Sequence, residues 1–220
     1  MLTRRITRAF LRFAFHLFYN PFAFTYDAVS AIVSRGRWRA WTRAAIPRIA
    51  GTRVLELPCG TGNLLVDLAA AGYAPVGVDL SPAMVRITRG KLLRYHANAS
   101  LARAPVQALP FPSRAFDTVV MTFPPEFIYD PRAFAEFYRV LDGGGRLVWV
   151  DGGRLLPRDA WGRFLNAALD AVSGGAAAAG SFTGMSADLL ARAGFSTTIE
   201  RVQDDTSVVT VLTATKGSKR

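Results

Sequence analysis

The chain has 220 residues, half of them hydrophobic and a fifth charged. That is enough for one domain, or a domain with an added arm, and it excludes a mostly disordered chain. One cysteine, Cys59, and two histidines, His16 and His96, exclude a disulfide framework, a multi-cysteine metal centre and a histidine-rich cluster, and they fit a reducing cytoplasm. The net charge of +11 sits at the ends: residues 1–53 hold ten arginines and one acid, Asp27, residues 54–215 are near neutral at −1, and Lys216, Lys219 and Arg220 close the tail.

The first eighteen residues read as an amphipathic helix. At 100° per residue, Arg4, Arg5, Arg8, Arg12 and His16 share an arc of about 120°, with Leu2, Ile6, Phe10, Phe13, Leu17 and Phe18 mostly opposite. Asn20-Pro21 stops it, and the interrupting polar residues leave no apolar run long enough to span a bilayer and no secretory signal. Such a helix fits an anionic membrane interface, or it packs on its own domain. A second helical stretch is expected from Phe24 to about Trp41.

From Arg53 strands and helices alternate, as parallel βαβ units do. Strands are expected at Arg53–Leu57, Pro75–Asp79, Leu101–Ala104, Phe116–Thr122 and Arg146–Asp151. Helices are expected from Asn63 to Ala71, from Pro82 (N-cap Ser81) to Tyr95, and from Pro131 to Leu141, where Asp142-Gly143-Gly144-Gly145 reads as a stop and turn. Ala160–Val172 reads as helical, Ser173–Gly184 as a loose Gly/Ala-rich stretch, and Ser186–Ala193 as a further helix. Two last strands, Thr197–Val202 and Ser207–Thr215, flank Asp204-Asp205 as a hairpin.

The chemistry concentrates in two segments. In VLELPCGTGNL, Val54–Leu64, a buried strand delivers Glu56 at its end, and Gly60 and Gly62 let the backbone turn and approach a ligand. No Lys-Ser/Thr follows, which argues against a P-loop, and the third glycine of G-x-G-x-x-G is missing. In GVDLSPAMV, Gly77–Val85, Asp79 ends the second strand about twenty residues on, where a carboxylate accepts both hydroxyls of a ribose. Together the two specify a nucleoside ligand at the tops of strands one and two.

With these residues the chain resembles the class I S-adenosylmethionine-dependent methyltransferases. ELPCGTG, VDLSPAM, ALPFPSRAFDTVV and FYRVLDGGGRLVWVD follow in the family's order. The resemblance implies an α/β fold: a Rossmann-like, seven-stranded, mostly parallel sheet with a C-terminal antiparallel hairpin, flanked by helices. It divides the chain into a basic helical arm or lid, 1–52, and a cofactor-binding domain, 53–220. S-adenosylmethionine is the implied cofactor, S-adenosylhomocysteine its product, and no metal is called for. By the same resemblance, Glu56, Pro58, Cys59, Gly60, Thr61 and Gly62 hold the methionine end. Asp79 takes the ribose, Leu80 and Met84 the adenine, Val106 and Gln107 its edge, and Thr122 and Phe123 border the sulfonium and the substrate. Pro58 replaces a usual glycine, and Pro105 stands where many relatives place an adenine-reading aspartate.

Tyr26–Trp41 is similar to the lid of the ubiquinone/menaquinone C-methyltransferase group, which implies that Tyr26 approaches the transferred methyl. After strand four the chain departs from that group: FPPEFIYD, Phe123–Asp130, stands where the group has an Arg-Asn pair. Glu126 and Tyr129 are the candidate bases, with Tyr26, Phe123 and Glu126 as substrate or lid residues. The expected acceptor is small and hydrophobic, lipid- or quinone-like, met in the cytoplasm or at an anionic membrane surface through residues 1–20. A nucleic-acid acceptor reached through the basic ends ranks lower, because the base-methylating Asn/Asp-Pro-Pro-Tyr signature is absent. A non-catalytic cofactor-binding module is the remaining alternative.

Overall fold

The computed structural model describes residues 23–156, 159–173 and 186–217. The helix expected over residues 1–18, and the loose stretch beyond Ser173, lie outside these. Seven strands form one sheet: β1 (Val54–Glu56), β2 (Val76–Asp79), β3 (Ser100–Arg103), β4 (Phe116–Thr122), β5 (Leu141–Leu155), β6 (Phe195–Gln203) and β7 (Ser207–Lys216). Their spatial order is β3-β2-β1-β4-β5-β7-β6. β7 alone runs against its neighbours β5 and β6, and the other pairings are parallel. The chain order reverses between β1 and β4, so the crevice at the carboxyl ends of β1, β2 and β4 is where an open α/β sheet receives a ligand.

The strands read as apolar runs because both faces of the sheet are covered. On one face, α5 (Pro131–Val140) and a helix at 186–192, α7, lay Phe134, Phe137, Val140 and Leu190 on Val119, Met121, Leu147, Trp149 and Leu212. On the other, α2 (Trp38–Arg43), α3 (Asn63–Ala70) and α6 (Ala160–Ser173) bring Trp41, Leu64, Leu68 and Leu165 against Val54, Val120, Val148, Val150 and Val211. α4 (Pro82–Arg94) packs Leu92 on Leu65 and Val66. The N-caps expected from sequence are made: the Ser81 hydroxyl accepts from Met84 N–H and Asp130 from Arg132 N–H, each followed by proline.

Two elements differ from expectation. The stretch from Phe24 to Trp41 is not one helix. A short 3-10 turn, Ala23–Thr25, leads into α1 (Tyr26–Val33), and a turn through Arg35 (φ 51°) and Gly36 (φ 80°) separates α1 from α2. Ser34 builds the break: its hydroxyl donates to the Ser30 carbonyl and accepts the Trp38 N–H, ending one helix and starting the next. The Asp142–Gly145 segment is not a turn before the strand but part of β5. Between the pairs Phe116/Leu141 and Thr118/Arg146 three extra residues bulge out of β5. A side chain at Gly145 would meet the Asp117 carbonyl oxygen at 2.9 Å, so the bulge closes only around glycine.

Candidate active site

Glu56 is the last residue of β1 and only 2 % exposed, and among the described residues no group bonds its Oε2. Burial raises its pKa well above the ordinary carboxylate range, with the charges of Asp79 and then Asp67 adding to the rise. Asp79, at the end of β2, accepts the Gly60 N–H (2.9 Å) on one oxygen and the Ser81 N–H (2.8 Å) on the other. Burial lifts Asp79 as well, against the pull of the Ser81, Gly60 and Leu80 backbone donors. Of the about four acceptor positions of the carboxylate, these three backbone donors leave one for a ligand.

Between the two carboxylates runs the glycine turn. Cys59 N–H bonds the Val78 carbonyl, and Gly62 N–H bonds the Cys59 carbonyl. The Thr88 hydroxyl donates to the Gly60 carbonyl. Gly62 (φ 77°) lies so close to Thr88 that a Cβ would sit 2.4 Å from its methyl, whereas a Cβ on Gly60 (φ 52°) would point into open space. The Cys59 thiol is buried, and burial, Glu56 and Asp79 push its pKa well up, which keeps it protonated and inert.

The other sequence-predicted residues distribute around this centre. Pro58 is half-buried, Leu80 is exposed, and Met84 and Val106 are buried. Gln107 is half-buried and bonds Asp130. Thr122 ends β4, half-buried. Phe123 follows in the left-handed region (φ 47°), its N–H bonded to the Val150 carbonyl. That conformation turns the ring onto Trp38 (centroids 4.3 Å apart) and near Trp41 (6.1 Å), and Tyr26 meets Trp38 edge-on at 6.2 Å. Tyr26 thus stands in an aromatic wall at the strand-four exit. Glu126 opens a 3-10 turn, Glu126–Tyr129, and its side chain lies outside the description. Tyr129 packs its ring 5.7 Å from Trp149.

Two groups were not singled out from sequence. Asp27 on α1 accepts from Thr61 (2.7 Å), Asn63 (2.9 Å) and Lys91 (2.5 Å), tying α1 to the glycine turn and to α4. Burial pulls its pKa up, but the Lys91, Thr61 and Asn63 contacts outweigh that and hold it below the usual value. Its one sequence signal was being the sole acid among ten arginines. Asp151, near the end of β5, sits one residue past the Val150 carbonyl that holds Phe123 and on the Trp149 face of the sheet. Burial raises it to about 6, opposed by the Gly152 N–H and the Trp149 indole.

A deeply buried carboxylate with a free oxygen, beside a second carboxylate, disfavours its own charge unless a cation arrives. The pair therefore fits an S-adenosylmethionine, which carries an ammonium and a sulfonium, with open space above Gly60 for its approach. Residues 54–145 match the family model described as "Methyltransferase domain". A demethylmenaquinone methyltransferase of Symbiobacterium thermophilum is 32 % identical over 150 residues, covering 64 % of this chain and 59 % of the relative. One of Thermus thermophilus is 37 % identical over 139 residues, covering 60 % and 63 %. The chain thus spans about six-tenths of the length of these relatives. Among solved structures, a SAM-dependent methyltransferase from Thermotoga maritima superposes with a TM-score of 0.65 at 22 % identity, over 91 % of this chain and 98 % of that one. The geranyl diphosphate C-methyltransferase of Streptomyces coelicolor, in complex with S-adenosyl-L-homocysteine, gives 0.57 at 15 % identity, over 80 % and 77 %. The strand order and the buried acid at the end of β1 agree with that match: residues 54–145 are similar to a methyltransferase domain, set in a sheet with the class I S-adenosylmethionine-dependent methyltransferase fold.

Proposed function

We propose that the chain methylates a small, apolar, quinone-like acceptor held over the carboxyl ends of β4 and β5. The observation that carries this reading is the wall of Tyr26, Trp38 and Phe123, half-buried rings packed on one another that make the strand-four exit apolar rather than charged. The relatives named for demethylmenaquinone support a quinone-like ring. The FPPEFIYD segment supports a pocket of its own shape, because no Arg-Asn pair is present there.

Bound S-adenosylmethionine supplies an electrophilic methyl and its own leaving group. The chain's residues do the rest. Glu56 would hold the ammonium, Asp79 the ribose hydroxyls, and the glycine turn the amino-acid tail. The aromatic wall fixes the acceptor plane, so that proximity contributes several kcal/mol of the barrier. A ring carbon that gains a methyl must shed a proton. Asp151, Glu126 and Tyr129 are the groups at the β4–β5 exit that can take it, and Asp151 suits the task best because its pKa lies close to working pH.

The test is methyl transfer from labelled S-adenosylmethionine to reduced demethylmenaquinone, followed by chromatography of the extracted quinone. Label in the quinone fraction is expected. Calorimetric binding of the cofactor with no transfer to this acceptor would overturn the quinone reading while leaving the cofactor site standing.

A further inference from the structure

Nine large apolar side chains are exposed among the described residues, and five of them fall on the 3-10 turn, α1 and α6. Phe24, Val29 and Ile32 belong to the 3-10 turn and α1, and Trp161 and Phe164 to the first turns of α6. Each helix is fixed from its inner side. Ser30 of α1 is buried, as are Leu165 and Asn166 of α6, and Asn166 bonds both the N–H and the carbonyl of Leu155 at the end of β5. The outward faces are therefore held in place rather than left to fray. The Arg35 guanidinium bonds both Asp159 carboxylate oxygens, at 2.9 and 3.0 Å, and Asp159 in turn accepts the Gly162 N–H that opens α6. That bridge joins the end of α1 to the start of α6 as one rim. The rim lies beside the strand-four exit, since α1 carries Tyr26 of the aromatic wall.

Trp161 and Phe164, 53 % and 57 % exposed, stack on each other with centroids 5.1 Å apart and planes 20° apart. Ile32 is 63 % exposed. Large rings and a branched aliphatic held outward at i, i+3 spacing form the kind of patch a soluble surface rarely keeps without a partner. The charges around it are net basic. Arg35 and Arg163 flank the patch with one acid, Asp159, between them, which pairs with Arg35 and leaves Arg163 as the excess positive charge. Bulky rings with a basic border are complementary to the headgroup layer of an anionic bilayer. We infer that the α1–α6 rim, through Ile32, Trp161 and Phe164, docks the protein on an anionic lipid surface with the mouth of the site facing the membrane. This goes beyond the acceptor reading, and the two fail separately: calorimetry with S-adenosylmethionine reports on the methyltransferase site, flotation on the rim.

The experiment is flotation of the full chain with phosphatidylcholine vesicles, with and without phosphatidylglycerol, together with quenching of tryptophan fluorescence by brominated lipid. The wild type should float with the anionic vesicles. Trp161→Ser/Phe164→Ser should lower its partition coefficient at least about tenfold while circular dichroism and cofactor heat are retained. Trp161→Phe should keep flotation and lose most of the quenching, because Trp41 and Trp149 are buried and Trp38 is half-buried against Phe123. Ile32→Asp provides the same reading independently if the double variant misfolds. Flotation of both variants like the wild type, absence of wild-type flotation, or a wild-type dimer that Trp161→Ser/Phe164→Ser dissociates would each overturn the inference. In the last case the rim is a contact between two copies.

Discussion

Replacing Glu56 with glutamine should move stability and affinity in opposite directions. In the free protein the Glu56 carboxyl is buried, one oxygen has no partner, and its pKa stands well above 4.5. Between pH 4.5 and that raised value the unfolded chain has given up the proton while the folded chain keeps it. The folded state therefore binds more protons, and stability falls as pH rises through this window. Glutamine does not titrate. The free Glu56→Gln protein should thus match the wild type near pH 4.5 and melt higher at pH 8, each 1 kcal/mol of difference appearing as about 2–4 °C for a domain of this size. With the ligand the sign reverses. A hydrogen bond between ionised carboxylate and ammonium contributes about 1.5–3 kcal/mol, so the substitution should weaken S-adenosylmethionine between about tenfold and about 150-fold. Calorimetry in buffers of different ionisation enthalpy should show the wild type releasing protons on binding and the variant releasing fewer. A variant that melts lower at pH 8, or binds as tightly as the wild type, refutes the assignment of Glu56 as the residue that meets the ammonium.

The remaining expectations follow from the same geometry. Asp67 is buried and bonded by Arg39 and Arg43, whose own side chains are about half exposed. Arg39→Met/Arg43→Met strands that carboxylate and should cost about 3–5 kcal/mol, more than Asp67→Asn, which leaves only solvated guanidiniums; urea titration ranks the two. Gly60→Ala should fold, at about 1–2 kcal/mol for its left-handed backbone, yet lose cofactor binding because the new methyl enters the open space above the turn. Gly62→Ala collides with Thr88 and should unfold at lower temperature. If Asp151 takes the proton, kcat/KM toward reduced demethylmenaquinone should rise with pH through about 6, and Asp151→Asn should lose that acid limb with cofactor affinity intact.

What the sequence disclosed is what local chemistry determines. β4 carries the apolar run Val119-Val120-Met121, and its bounds, Phe116–Thr122, are those expected. Glu56 and Asp79 were legible as partners because each ends a strand and parallel strands align their ends. The start of β5 was not legible: Asp142-Gly143-Gly144-Gly145 has turn chemistry, and only pairing beside β4 draws it into the sheet. The α1–α2 break rests on a serine bonding four residues each way, which competes with an otherwise helical pattern. The Asp27 network joins residues 34 to 64 positions apart, and the raised pKa of Asp151 depends on what covers it. Neither leaves a mark on spacing or composition.

The net charge was the most misleading number in the sequence. It suggested a basic arm offered to a polyanion, yet all six arginines from Arg35 to Arg53 meet carboxylates of the body: Asp159, Asp204, Asp67 twice, Glu200, and Asp117 with Asp142. These pairs seat the segment, and they do so unequally. α2 is held by a buried carboxylate and by Trp41 in the sheet core, whereas α1 is held by a half-buried Asp27 and, just past its end, by the exposed Arg35–Asp159 pair, which contributes at most about 1 kcal/mol. Asp27 ties α1 to the glycine turn, and the least costly displacement of α1 hinges it at the Ser34–Arg37 turn while α2 stays docked. Amide exchange should accordingly be faster over residues 26–33 than over 38–43, and cofactor product should slow the first without changing the second. Equal protection of both helices would mean that the segment opens as one body, with the Asp67 pairs breaking as well.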